Sequence, residues 1–507
     1  MESRARIPVA APVADPLSSY WQTPKSSLAN INHGEDNSHE PYDFIIIGSG
    51  MSGTMIAYNL LKKDPKRRIM MLEAREICSG ATGRNGGHTK AASYRSYLQN
   101  VEGLGEEEAL KIARLEYNNI IETHQLAEEL NIDCENKLCK TVDIIYDRPT
   151  FEQGKLAIQA LRAAVKEEET QSEKMAWYNI HENVETVSKH FQVSTKSENP
   201  AVKGVEEVSG AFEYLAGRVH AYRFVTGVLA ECIKMGLQIC TNTSVLKLEP
   251  SRSHTDSVWE VLTADNVFIA RDTILATNGY TPFLEQSLQG KIVPMRGQIT
   301  VQKPGARTSL PSPLPNTFSF IYKDGYEYMI PRPLSEGGQH IIIGGGLGRQ
   351  PDAGASEFGI VDDASLNPGM SAYLRGSLLG YFGSTTWGES NDEEASNRVV
   401  HEWSGIMGAT ADGRPFVGKI PGSLAYQKSE ADISFRNLWI SAGFNGHGMV
   451  QCLKSAEALV NMIDNDKKCG HKKGSASLDG LDWFPKSYIV TEERLSQCHF
   501  KGRKDML

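Results

Sequence analysis

Two kinds of apolar pattern alternate along the chain. In the first, short runs are apolar without a break, as in "FIII" at 44–47 and "IMML" at 69–72. Such runs predict strands covered on both faces, as in a parallel sheet. In the second, apolar residues recur at helical spacing. Residues 51–63 carry Met55, Ile56, Leu60 and Leu61 on one side, which predicts a helix leaving the first strand. Further helices are predicted over 106–130 and 155–174, the latter with "KEEE" as its solvated face. Another covers "RFVTGVLAECIKMG", ended by Gly236, and a last one carries Val450, Leu453, Leu459, Val460 and Ile463 inward. Strands are predicted at 141–146 and within "LQICTNTSVLKLEP", "SVWEVLTA" and "VFIARDTILATNG". Residues 292–398 read as strands and long loops, with the proline-rich "KPGARTSLPSPLPN" among them.

The order of these elements predicts an α/β fold in which one sheet is visited three times. A Rossmann-like domain takes 41–115, 205–295 and 399–465. A mixed-sheet α+β substrate domain takes 116–204 and 296–398. Residues 1–40, rich in Pro, Ser, Asn and Asp, predict a disordered arm, with "SSYW" at 18–21 able to pin part of it. Residues 466–507 predict a polar tail.

Composition narrows the function classes. A net charge of −9 leaves no basic excess to meet nucleic-acid phosphate. The eight cysteines form no C-x-x-C pair and the histidines no H-E-x-x-H, so no metal site or disulfide framework is expected, and a reducing, cytoplasmic setting is. No apolar run has the length of a membrane span.

The chemistry starts in "DFIIIGSGMSG". Gly48, Gly50 and Gly53 have the G-x-G-x-x-G spacing. The first allows a tight turn, the second lets a pyrophosphate reach the backbone, and the third lets helix and strand pack closely. Free N–H groups at the helix start face the phosphates. Glu73 ends the second strand twenty residues past Gly53, where a carboxylate can accept from ribose hydroxyls. These features alone leave NAD and FAD open. Two further stretches favour FAD. "CSGATGRNGGH" at 78–88 is a small-residue loop whose backbone N–H groups can cradle an extended ligand. "AGFNGHGMV" at 442–450 brings glycines to a helix start, where negative charge on a reduced flavin is favoured.

Together with "ILATNGY", "VPMRGQITV" and "WSGIMGATADGRPFVG", in that order and spacing, these motifs resemble the D-amino acid oxidase-like FAD-dependent oxidoreductase family. Over about 40–465 the chain is similar to its gamma-glutamylputrescine oxidoreductase branch and to fungal members. The resemblance implies non-covalent FAD. It assigns Gly48, Ser49, Gly50, Met51, Ser52 and Gly53 to the pyrophosphate, Glu73 and Ala74 to the ribose, and Val245 to the adenine. It assigns Ala81, Thr82, Arg84, Asn85, Gly86 and Gly87 to the pyrophosphate and flavin edge. Gly443, Asn445, Gly446, His447, Gly448 and Met449 meet the flavin ring, with Ala276, Thr277, Asn278, Gly279 and Arg414 around it.

The implied reaction is oxidation of a C–N bond of an amine or amino-acid derivative to an imine by hydride transfer to flavin. Oxygen is the expected acceptor, giving hydrogen peroxide. Candidate active-site residues are His88, Tyr328, Arg332 and Trp403, with Tyr326, Tyr328 and Trp403 as an aromatic wall for an amine cation. Amino acid and glycine oxidases of the family clamp a carboxylate with arginine where this chain has Met407. Arg332 or Arg296 is the expected substitute, and Arg296 otherwise ties strands together. Gly405 stands at the position of sarcosine oxidase's flavin-linking cysteine, and Ile342 at that of its lysine near the flavin. Competing readings are an NAD-dependent dehydrogenase, a flavin dehydrogenase feeding another carrier, and a flavin-binding accessory protein without turnover.

Overall fold

The structure, a computed structural model, describes residues 1–34, 40–251, 258–389, 397–421, 437–468 and 478–500. Two large sheets organise it. The first runs, in spatial order, Phe416–Lys419, Leu438–Ala442, Val267–Leu275, Tyr42–Ile47, Ile69–Leu72 and Gln238–Cys240. Its inner four pairings are parallel, and Phe416–Lys419 closes one edge antiparallel. Period-two side-chain alternation divides the all-apolar strands between two cores. Phe44, Ile46 and Met71 pack with Met55, Val225 and Leu459 from the helices Met51–Lys63, Ala221–Lys234 and Cys452–Lys468. Ile45, Ile47, Met70 and Leu72 pack on the opposite face with Trp259, Phe268 and Ile292.

The second sheet runs Val399–Thr410, Ile292–Gln302, Gln339–Gly344, Gly325–Pro333, Thr317–Tyr322, Lys137–Ile145, Gly210–Arg218 and His88–Thr89. Lys137–Ile145 and Thr317–Tyr322 pair parallel, and the rest of that path is antiparallel. One face packs on the helices Val184–Phe191 and Pro368–Phe382, the other on Ser93–Leu104 and Arg148–Ala163.

Several expectations need correction. Residues 210–218 and 399–410 were expected in the nucleotide domain, but their backbones hydrogen-bond into the second sheet. His88–Thr89 also joins that sheet, so the small-residue loop links the two. The expected 155–174 helix is Arg148–Ala163, capped by the Asp147 carboxylate on Thr150 N, and "EEET" forms a separate turn. The helix Pro368–Phe382 was not expected. The described part of the arm is ordered, with Trp21 2% exposed against the core around Tyr222 and Val219. Likewise 478–500 packs down: Val490 N donates to Val417 O, and Tyr488 is buried. The polar stretch 469–477 lies outside the described residues. No described helix is long and apolar enough to cross a membrane.

Candidate active site

An elongated cavity of about 680 Å³ lies where the two sheets meet. At one end it is lined by Gly48, Gly50, Met51, Glu73 and Val245, and at the other by Ser319, Tyr326 and Tyr328. Asn445, Gly446, His447, Gly448 and Met449 lie along it.

The first turn is built for close approach. Gly48 has φ +107°, and a Cβ there would fall 2.6 Å from Ala276 O. A Cβ on Gly53 would fall 2.0 Å from Gly48 O, so only hydrogen fits between helix and turn. The helix starts at Gly50 with no side-chain cap, and Met51 N donates to the Thr82 hydroxyl (2.9 Å). The helix start and the loop 81–87 are thereby tied together on the cavity wall. The Glu73 carboxylate accepts from Ser49 N (3.0 Å), Ser49 Oγ (2.6 Å) and Arg75 N (3.1 Å), which fixes its direction. Behind the loop, Arg75 and Arg84 share the buried Asp363 carboxylate (3.0 and 3.4 Å). Burial lowers the Arg84 pKa to about 10, with Asp363 opposing the shift.

The glycine-rich turn after Ala442 is held by two asparagines in left-handed conformation, Asn278 (φ +46°) and Asn445 (φ +51°). Asn278 Oδ1 accepts from Gly443 N and Phe444 N, and Asn445 Oδ1 from Thr410 N. Gly446, at φ +79°, leaves the backbone bare at the cavity wall beside Met407 Sδ. These bare backbones suit a flat ring and a pyrophosphate, and the donor set fits FAD.

Of the residues assigned to the cofactor from sequence, most line the cavity. Ser49, Gly53, Gly87, Gly279 and Gly443 do not, and act from behind it. Gly279 packs on Met407 O, where a Cβ would fall at 2.4 Å.

The catalytic candidates divide. His88 and Tyr328 line the cavity. His88 Nε2 meets the Thr317 hydroxyl at 2.8 Å. Burial, and next the charge of Lys90, hold its pKa well below the usual histidine range, so it is neutral near pH 7. Arg332 and Trp403 do not line it, correcting the expectation. Arg332 shares the face of Tyr326 and Tyr328 but lies further along the strand, where Glu135 takes its guanidinium (2.8 Å). Tyr20 and Trp21 cover it at 4.8 and 4.9 Å. Trp403 is fully buried and donates to Arg84 O (2.7 Å), bracing the loop. Arg296 pairs with Glu357 (2.7 Å) and is spent on structure. Ile342 is buried away from the cavity.

The substrate end holds charged groups that were not expected there. Lys90 is paired with Asp143, which also accepts from Tyr94 and Tyr214 hydroxyls (2.8 and 2.9 Å). This buried pair is satisfied on every side, as its desolvation cost requires. Arg95 differs. It is enclosed by protein yet keeps an exposed side chain, because the surface it exposes lies in the cavity. Among the described residues its guanidinium has no ion pair, only the Tyr326 ring at 4.4 Å. The aromatic wall therefore already holds a cation of the protein's own. A signal was present: Arg95, Ser96, Gln99 and Asn100 form one polar face of the helix Ser93–Leu104 directly after the glycine loop. That face reads as solvated until the cavity beside it is known.

Residues 43–462 match the family model for FAD-dependent oxidoreductases of the DAO type. A probable oxidoreductase, OrdL, of Haemophilus influenzae is 22% identical over 419 residues, covering 81% of this chain and 80% of its own. Among solved structures, glycine oxidase from Geobacillus kaustophilus aligns with a TM-score of 0.61 at 17% identity, covering 89% of this chain and 99% of its own. L-Proline dehydrogenase from P. horikoshii aligns at 0.60 and 16% identity, covering 89% and 97%. At these identities the structural likeness establishes the fold. The family match spans both sheets and every cavity-lining motif, and so this chain belongs to the DAO family of FAD-dependent oxidoreductases, with FAD as its cofactor.

Proposed function

We propose that the protein oxidises a C–N bond of an amine carrying a carboxylate, producing an imine, with oxygen as the electron acceptor. The observation that carries this reading is Arg95, a guanidinium facing the cavity with no counter-ion among the described residues. An unpaired cation there favours an anionic ligand group and disfavours a second cation. The same field lowers the pKa of a bound ammonium, so the substrate amine is held in its neutral, oxidisable form. Bound FAD supplies the two-electron acceptor. The chain's part is to orient the amine, with Arg95 on its carboxylate, and to exclude water with Tyr326 and Tyr328. Met407 offers no charge, so carboxylate recognition rests on a different element from that of the arginine in amino acid and glycine oxidases. Support for oxygen comes from Lys90, an ammonium paired with Asp143 and enclosed at the cavity wall beside Ser319.

Anaerobic bleaching of the bound flavin tests the reading. N-substituted amino acids and amines with a distal carboxylate should bleach it at lower concentration than their decarboxylated analogues. Arg95→Gln should raise the half-saturating concentration of the carboxylated substrates by about 10–100-fold, the loss of one charge-assisted hydrogen-bonded pair. Equal bleaching by carboxylate-free amines, unaffected by Arg95→Gln, would overturn it. Peroxide release in air reports the acceptor.

A further inference from the structure

The family match starts at residue 43, yet residues before it build part of the cofactor site. Pro12 lines the cavity itself. From there the segment hydrogen-bonds first to the Arg75–Asp363 pair behind the small-residue loop and then to the loop itself. Val13 O accepts from Arg75 (3.3 Å) and Leu17 N donates to Asp363 O (2.9 Å), which fixes both partners of the buried pair behind the loop. Ser19 Oγ donates to Gly83 O (2.5 Å), and the Trp21 indole N–H donates to Asn85 O. The Trp21 ring lies under Gly87, where a Cβ would come within 3.3 Å of it, and against His220 at 4.6 Å.

The direction of these bonds matters. The segment takes the carbonyls of Gly83 and Asn85 from outside, which pins that edge of the loop in the shape that lines the cavity. A flexible, glycine-rich loop held this way gives a preorganised cofactor cradle. We propose that residues 12–21 are a retention strap for FAD: Pro12 closes the nucleotide end, and Ser19 and Trp21 are positioning residues that hold loop 81–87 in its binding shape. FAD leaves when the strap lifts. The proposal rests on FAD as cofactor and not on the identity of the substrate.

The test uses full-length holoprotein carrying Trp21→Ala, Trp21→Phe or Ser19→Ala. The FAD release rate is read from the fluorescence gained on dilution, and melting temperatures are read with and without FAD. Trp21→Ala should speed release at least tenfold and shrink the gap between the two melting temperatures. Trp21→Phe, which keeps a ring but loses the N–H, should fall between it and the parent. Ser19→Ala, a smaller change at the Gly83 contact, should speed release about threefold, and it tests the strap should Trp21→Ala not fold. Release within twofold of the parent in every variant that folds would overturn the proposal. So would a melting temperature lowered equally with and without FAD, which marks a merely structural role. Neither readout involves turnover, so a failure of the amine reading leaves this result interpretable.

Discussion

One hydrogen atom decides the first turn. At Gly53 a methyl group would stand 2.0 Å from the Gly48 carbonyl oxygen, and both partners are backbone, so neither can swing aside. Gly53→Ala should therefore push the helix off the strand and strip the protein of FAD, seen as loss of the yellow colour after gel filtration, whereas Gly103→Ala, with open space around its Cβ position, should stay yellow. A second residue-scale consequence concerns pH. His124 is buried, its Nε2 on the Thr89 hydroxyl and its Nδ1 on Asn136 Oδ1, and burial lowers its pKa to about 4. The unfolded chain binds that proton near 6.5, the native one near 4, so stability falls as pH drops through this window. The loss amounts to roughly 3 kcal/mol by pH 4. Urea midpoints should fall from pH 7 to pH 5, and His124→Gln should flatten that fall; a midpoint that rises on acidification would contradict the assignment. The glycines were readable in sequence because their spacing is local. Arg95 and Lys90 were not, because the sequence records a polar helix face but not whether it meets bulk water or a cavity.

At the scale of elements, local pattern marked the helices whose apolar spacing is unbroken and missed one interrupted by glycine. The helix Met51–Lys63 and the helix Glu106–Glu129 follow their apolar spacing. Pro368–Phe382 buries Tyr373, Leu374, Ser377, Leu378, Tyr381 and Phe382 and leaves Pro368, Ala372 and Arg375 exposed on the other side, but its three glycines disguise it as loop. Those glycines are packing devices. Gly380 lies against the Asn199 backbone, where a Cβ would fall 2.6 Å from Asn199 N. Gly380→Ala should cost about 1–3 kcal/mol by overpacking, read as a lower urea midpoint, although alanine is the better helix former. A stabilised variant would mean the helix stands off that segment. The strands Gly210–Arg218 and Val399–Thr410 illustrate the other limit. Their apolar character predicts a sheet but not which one, because pairing partners lie at long range in sequence.

For the whole molecule, the cavity is the seam. Its walls come from both sheets, from Pro12 near one end of the chain and from Tyr488 near the other. Arg494 closes the same seam by pairing with Asp412 (2.8 Å) and donating to Arg414 O and Pro415 O. A ligand filling such a seam stabilises the fold by RT ln(1 + [L]/Kd), about 4 kcal/mol at a thousandfold excess over Kd. Removing FAD should therefore lower the melting temperature of the entire protein, with both ends becoming accessible to protease, and re-addition should restore it. The cavity joins Glu73 and Val245 at its nucleotide end to Asn445–Met449, so each half of FAD alone fills part of it. ADP should recover a fraction of the lost stability and FMN, which lacks the adenylate, less than FAD at equal concentration. FMN matching FAD would place the binding energy at the ring alone, and would contradict a cofactor site built from the Gly48–Gly53 turn.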